Sequence, residues 1–447
     1  LALNSSYSFG YAVYAQRHER AAAEVYGPLD EARFQAAIHQ DPRFREAPAD
    51  HPTWHHQSPS QRPARPRPLL IVVEESLGAD FSARLGGQGL TPELDRWADR
   101  GLWFERLYAT GTRSARGLEA IVAGFPPSPA PAVLKREGAQ HGFATLASVL
   151  QGFGYHSRFL YGGGAHFDNM RGFFLGNGFE AVIERSDYPA PRHLSSWGVS
   201  DEDLFERALL ETDAAHARGE AFFHLVFTSS HHEPFDIPAG RLPAAYDQPG
   251  TPAAAVRYAD LALGAFLDQA STRPWFKDTV VLVVADHDVR VYGEEVIPIR
   301  RFQIPGLILG ADLPAQPIRS LASQIDLAPT LLSLMGIEAD LPFPGRDLTA
   351  TLPEFGHREG PPPRAILQFE NRYAWLLDQE LQVLLPGGEA QRWRVQADGT
   401  LGPPLPAPSA EQLEALHAQA MLADWLYRQH AYTLPAAAGE GRSGPLR

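Results

Sequence analysis

Short, unbroken apolar runs alternate through the middle of the chain with amphipathic stretches of helical period. The runs lie in "LLIVVE" (69–74), "HSRFLYGG" (156–163), "AFFHLVFTSS" (221–230) and "TVVLVVADHD" (279–288). Each has the length of a strand, and a strand covered on both faces in a parallel sheet needs such continuous apolarity. Between them, "LTPELDRWADRG" reads as a helix with Thr91 as N-cap and Pro92 at its first position. "TLASVLQGFGY" reads as a helix closed by glycine, and "AVRYADLALGAFLDQA" as an amphipathic helix. "QIDLAPTLLSLMG" reads as a helix ended by Gly336. Strands alternating with helices predict an α/β fold: a mostly parallel central sheet sandwiched by helices.

The pattern changes at both ends. Residues 1–45 read as helical, most clearly in "RHERAAAEVYG" and "DEARFQAAIHQ". Residues 46–68, rich in proline and polar groups, predict a linker running extended over a surface. His55 and His56 within it read as solvated linker residues rather than metal ligands. From about residue 364, "RAILQFENRYAWLLDQELQVLLPGGEAQRWRVQ" predicts short antiparallel strands around a Gly-Gly turn. A helix, "AEQLEALHAQAMLADWLYRQH", follows, and the Ala- and Gly-rich end reads as loose.

Composition narrows the partners. Acidic residues outnumber basic ones, 53 to 39, for a net charge of −14, which argues against a nucleic-acid ligand. A local basic pocket for an anionic substrate is compatible with that balance. The absence of cysteine removes disulfides and thiolate nucleophiles, and it suits an oxidising compartment. No run reaches the roughly 18–20 apolar residues of a membrane span. The chain opens "LALNSSYSF", without Met or a signal-peptide pattern, and is expected to be the soluble part of something longer.

In a parallel α/β sheet, ligands gather at the carboxyl ends of the strands. Three runs end in capable groups: Glu74 and Glu75; Ser229, Ser230, His231 and His232; and Asp286, His287 and Asp288. Carboxylates beside imidazole suit a divalent metal such as Mn²⁺ or Zn²⁺. A fourth stretch, "YATGTRSARGLEAIVAGF" (108–125), places Thr112, Arg113, Ser114 and Arg116 before an apolar helical run. With Ser114 as N-cap and the helix beginning at Ala115, a hydroxyl would sit among unpaired N–H groups that hold an anion. The two arginines add charge-assisted donors. An ordinary N-cap explains Ser114 equally well when the stretch is read alone.

Seven stretches occur in order: "VEESLGADF", "GLTPELDRWADRGLWFERLYATGTRSARGLEAIVAGFPP", "YGGGAHFDNMRGFFLGNGF", "FTSSHHEPFDIP", "RYADLALGAFL", "VVADHDVR" and "ASQIDLAPTLL". Together they resemble the lipoteichoic acid synthase-like phosphoglycerol transferases, in the sulfatase branch of the alkaline phosphatase superfamily. The resemblance covers about residues 69–350 and also the segment "LNSSYSFGYAVY". It implies three parts: an N-terminal helical segment and linker (1–68) after a transmembrane region that this chain lacks, a sulfatase-like catalytic domain (69–355), and a C-terminal α+β subdomain (356–447). It implies one divalent metal, usually manganese, with Mg²⁺ and Zn²⁺ as alternatives. The ligands carried over are Glu75, Ser114, Asp286 and His287, with Glu74 pointing to the other side of its strand. Ser114 is the favoured nucleophile, matching a Gly-x-Arg-Thr/Ser pattern, and Thr112 is the alternative. Arg113, Arg116, Asn169, Arg171 and His232 carry over as substrate-binding residues. Three positions depart from the family: Gly164 where an acidic residue is common, Asp288 where glycine is usual, and His231 in place of Asn. They bear on acceptor and headgroup specificity.

The implied reaction moves a glycerophosphoryl group from an anionic phospholipid such as phosphatidylglycerol to a glycan or glycerol-containing acceptor. It would take place in the periplasm or at the cell surface, in an extracytoplasmic domain of a bacterial inner-membrane protein. Two other readings remain at this stage. One is a phosphodiesterase or sulfatase-like hydrolase; the Cys/Ser-x-Pro-x-Arg context of a sulfatase formylglycine is missing, since Ser114 is followed by "ARGL". The other is a non-catalytic lipid-binding relative, which would be marked by failure to bind metal.

Overall fold

A computed structural model describes residues 21–246, 248–289, 295–356 and 362–435. Residues 1–20, which include the start of the helix expected in "RHERAAAEVYG" and the segment 3–14, and the tail beyond 435 lie outside these residues.

Eight strands form the central sheet, in the order Gln316–Ile318, Leu102–Phe104, Gly306–Gly310, Val280–Ala285, Leu69–Glu74, Phe222–Phe227, His156–Tyr161 and Ala181–Ile183. Leu69–Glu74 is central and runs parallel to both neighbours. Gly306–Gly310 alone runs antiparallel, against Val280–Ala285 and Leu102–Phe104. The sheet is therefore mostly parallel. Leu69 to Val73 are fully buried, which accounts for their unbroken apolarity. Helix Asp201–Ala217 packs on strand Phe222–Phe227 and against helix Pro252–Ala270. Helix Leu327–Met335 packs on strand Val280–Ala285 and helix Ser114–Ala123, and it ends at Gly336 with φ +84°.

The C-terminal part is a five-stranded antiparallel meander, Ala365–Phe369 through Leu401–Leu405, followed by helix Ala410–Arg428. Gly387 and Gly388, both with positive φ, turn the chain between its third and fourth strands. Strand alternation sorts its first strand to two cores. Ala365, Leu367 and Phe369 pack with Ile297, Ile299 and Phe302, whereas Ile366 packs with Tyr26 and Leu416. The short helices Ala22–Tyr26 and Glu31–Ile38 lie against the C-terminal helix.

Three local expectations need correction. Residues 46–68 cross the surface, but not as a solvated linker. His55–Gln57 is a strand paired antiparallel to Ala339–Leu341, and Pro52, Thr53, Gln57 and Pro59 are buried. Backbone pairing and packed prolines hold it down. His56 is salt-bridged to Asp340 at 2.9 Å and Glu338 at 3.1 Å, and His55 packs on Phe44. Thr91 does occupy the N-cap of helix Pro92–Trp97, but its hydroxyl makes no capping bond. Asp260, from a distant helix, accepts the Glu93 and Leu94 N–H groups instead, both at 2.9 Å. Finally, the helix over 114–123 starts one residue early, with Arg113 at its N-cap and Ser114 as its first helical residue.

Candidate active site

The site forms where strands Leu69–Glu74 and Val280–Ala285 end side by side. Glu75 follows the first, and Asp286 and His287 follow the second. One ligand atom from each of the three lies within 4.8 Å of the others, and all three residues are buried. Helix Ser114–Ala123 brings its first residue to the same point. Ser114 Oγ is 3.1 Å from Glu75 Oε2 and 3.2 Å from His287 Nε2.

Backbone bonds fix the trio. Asp286 Oδ1 accepts the N–H groups of Ser76 (2.8 Å) and His287 (2.7 Å). The Ser76 hydroxyl donates to Glu75 Oε1 at 2.6 Å, and the Glu75 N–H donates to Thr228 Oγ1 at 3.0 Å. Ser76 has φ +54°, a left-handed conformation that is unfavourable for a residue with a side chain. The chain accepts it where Glu75 turns out of the strand. Gln324 Nε2 donates to the carbonyls of Ala285 (3.0 Å) and Asp286 (2.8 Å), tying down the end of the second strand.

The electrostatics call for a cation. Burial pushes the Glu75 carboxyl up to about 7, with the Asp286 charge adding to the effect. Burial likewise pushes Asp286 up to about 7 and pulls His287 below its ordinary value. Asp286 Oδ2 is buried with no hydrogen-bond partner among the described residues. Two desolvated carboxylates, one orphaned oxygen and a neutral imidazole form a donor set that fits one divalent ion such as Mn²⁺, Zn²⁺ or Mg²⁺. Glu74 is outside the trio. Its carboxyl is buried near Thr228 and the Asp201 charge and is held well above its ordinary value, mainly by burial.

The remaining candidates separate. Thr112 is half-buried and makes no bond to the carboxylates; Ser114 does. Arg113 is exposed, and its charge acts on His287. Arg116 is engaged elsewhere: it pairs with the fully buried Glu119 and donates to the carbonyls of Ser128 (3.2 Å) and Ala130 (2.5 Å). Asn169 donates to Leu134 O and Gln140 Oε1. Arg171 is salt-bridged to Glu184 at 2.7 Å and half exposed. His232 lies tilted against Trp197, ring centroids 3.7 Å apart, on the segment that follows Thr228. The geometry thus gathers Ser114, Glu75, Asp286 and His287, keeps Arg113 and His232 nearby, and spends Arg116 and Asn169 on packing.

Sequence reasoning missed several supports. Thr228 and Gln324 act across the fold, and no local pattern marks them. Asp201 accepts the N–H groups of Ser229 and Ser230, each at 3.1 Å, and so holds the segment that carries Thr228 and both histidines. The Arg116–Glu119 pair did leave a signal, because residues three apart share a helix face.

Comparison with known proteins bears on the family and the fold. The sulfatase family profile matches residues 67–337, more than half of the chain. The chain is 25% identical over 314 residues to phosphoglycerol transferase I of Xanthomonas campestris pv. campestris, covering 65% of this chain and 44% of that protein. It thus spans less than half the length of that curated relative. An alkaline phosphatase superfamily protein from Vibrio parahaemolyticus is 38% identical, with a TM-score of 0.87 over 93% of this chain and 100% of that one. The lipoteichoic acid synthase LtaP of Listeria monocytogenes shares the fold at 19% identity, with a TM-score of 0.68 over 84% of this chain and 94% of that one. The chain belongs to the sulfatase family, within the alkaline phosphatase superfamily.

Proposed function

We propose that the protein is a metal-dependent phosphoglycerol transferase that works through a covalent adduct on Ser114. The observation that carries this reading is the hydroxyl of Ser114 within hydrogen-bond reach of both Glu75 and His287. A nucleophile needs such a neighbour to lose its proton. The donor would be an anionic phospholipid such as phosphatidylglycerol, and the acceptor a glycan or other glycerol-containing polymer outside the cytoplasm. No described helix is long and apolar enough to cross a membrane.

In the first half-reaction, Ser114 Oγ attacks the phosphodiester phosphorus. Its proton passes along the hydrogen bond to the Glu75 carboxylate. The bond from phosphorus to the diacylglycerol oxygen breaks, and that oxygen takes up a proton. In the second, an acceptor hydroxyl attacks the same phosphorus and gives up its proton, and Ser114 Oγ leaves and is reprotonated. Arg113 at the helix N-cap and His232 beside the trio supply positive or donating groups for the phosphoryl oxygens. The N–H groups at the start of helix Ser114–Ala123 face the same charge. A divalent ion held by Glu75, Asp286 and His287 would neutralise the two carboxylates and lower the pKa of the serine hydroxyl.

The test is turnover of soluble aryl esters by the purified protein with Mn²⁺. Hydrolysis of an aryl phosphodiester with no turnover of the matching aryl sulfate supports the reading. Preference for the sulfate would replace it with a sulfatase.

A further inference from the structure

We propose that His231 is a positioning residue for Glu75, its ring N–H holding the Glu75 carbonyl so that the carboxylate points into the metal trio. The proposal rests on the reading of that trio as a metal site. His231 is 2% exposed, and its Nδ1 lies 3.2 Å from the Glu75 carbonyl oxygen. A carbonyl only accepts, so Nδ1 carries the proton and Nε2 a lone pair. That Nε2 is buried with no hydrogen-bond partner among the described residues, so the ring makes one polar contact, and it is to Glu75. The ring stands edge-on to Phe81, centroids 5.3 Å apart, and tilted against Phe235 at 5.9 Å. These contacts leave it little room to turn.

The position of this bond gives it leverage. The Glu75 carbonyl belongs to the peptide that enters Ser76 at φ +54°. The Glu75 N–H is held by Thr228 Oγ1, and the Ser76 N–H by Asp286 Oδ1. The Glu74 carbonyl accepts the Asp286 N–H at 3.2 Å, and His231 completes the set by holding the carbonyl of the second peptide unit that flanks the Glu75 Cα. Thr228 and His231 lie three residues apart on one segment, which Asp201 pins from behind. A carboxylate on a bent, unfavourable backbone stays aimed only while those bonds hold.

The test compares three substitutions. An asparagine side-chain amide can take the place of ring Nδ1, a glutamine amide reaches only to Nε2, and phenylalanine keeps the shape without a donor. Mn²⁺ affinity is read by calorimetry on the protein alone, with kcat and KM on an aryl phosphodiester beside it. His231→Asn should bind Mn²⁺ within about threefold of the parent, whereas His231→Gln and His231→Phe should lose about tenfold or more. An Asn variant as impaired as the Gln variant would overturn the proposal, and this contrast decides even if the Phe variant fails to fold. Wild-type affinity in a folded Phe variant would overturn it too. A parent protein that bound no Mn²⁺ would remove the proposal together with the metal site. A parent that bound Mn²⁺ but turned over no phosphodiester would refute only the transferase reading.

Discussion

Gly117 lies against Asp286: a Cβ added to the glycine would fall 2.3 Å from the Asp286 carbonyl oxygen. The helix that carries Ser114 therefore meets the strand end that carries Asp286 and His287 backbone to backbone. Elsewhere in a helix, replacing glycine by alanine would stabilise it by about 1 kcal/mol. Here the helix must retreat, and Ser114 retreats with it. Gly117→Ala is expected to lower kcat on an aryl phosphodiester by roughly 100-fold, the scale of an ångström-sized misplacement. Unchanged kcat in a folded variant would show that the close approach does not set the position of Ser114.

The two hydroxyls of the loop make a direct comparison. Ser114→Ala should lose at least about 1,000-fold in kcat, as removal of an attacking group does. Thr112→Ala should stay within a few-fold of the parent, because Thr112 makes no bond to Glu75 or His287. Initial rates on the same ester decide it, and the reverse pattern would move the nucleophile to Thr112.

Arg116 is predicted to matter for stability before catalysis. Its removal leaves the carboxyl of Glu119, 0% exposed, without the guanidinium in contact with it, only the Val133 N–H and the more distant Arg136 charge remaining. Arg116→Ala should cost about 3–5 kcal/mol in urea unfolding. A double change, Arg116→Met with Glu119→Leu, should cost less than the single one, because no buried charge is then left alone. A single variant of parental stability with a raised KM would return Arg116 to the substrate.

Asp260 gives a pH signature away from the site. Burial pushes its carboxyl up to about 7 while it caps helix Pro92–Trp97. A group whose folded pKa is raised adds stability below its unfolded value near 3.8, and that stability is lost as pH rises through about 7. Asp260→Asn removes this dependence. Relative to the parent, the variant should gain on the order of 2 kcal/mol between pH 5 and pH 8. Urea titrations at the two pH values check it, and a pH-independent difference contradicts it.

Much of this architecture was legible because the relevant pattern is local. Leu69–Val73 is apolar on both faces because neighbouring strands and covering helices bury it, and a run of that kind ends at the sheet's ligand edge. That edge offered Glu74, Glu75, Asp286, His287 and Asp288 among others, and the family resemblance singled out Glu75, Asp286 and His287. What could not be read depended on distant partners. Asp260 caps a helix more than 160 residues earlier, and Thr228, His231 and Gln324 act on backbone groups of other strands. The charge of Arg116 and the amide of Asn169 suggested substrate, but a side chain's type does not show whether a neighbour has already engaged it. The extra helical residue at Ser114 is a boundary effect, since the residue at an N-cap and the one after it look alike in sequence.

The most direct measurement is mass spectrometry of the protein after incubation with labelled phosphatidylglycerol and Mn²⁺, quenched before acceptor is added. A covalent Ser114 intermediate predicts a glycerophosphoryl adduct on the peptide that contains Ser114, localised to that serine, and absent from Ser114→Ala. An adduct on Thr112, or phospholipid turnover with no labelled peptide in either protein, would contradict it.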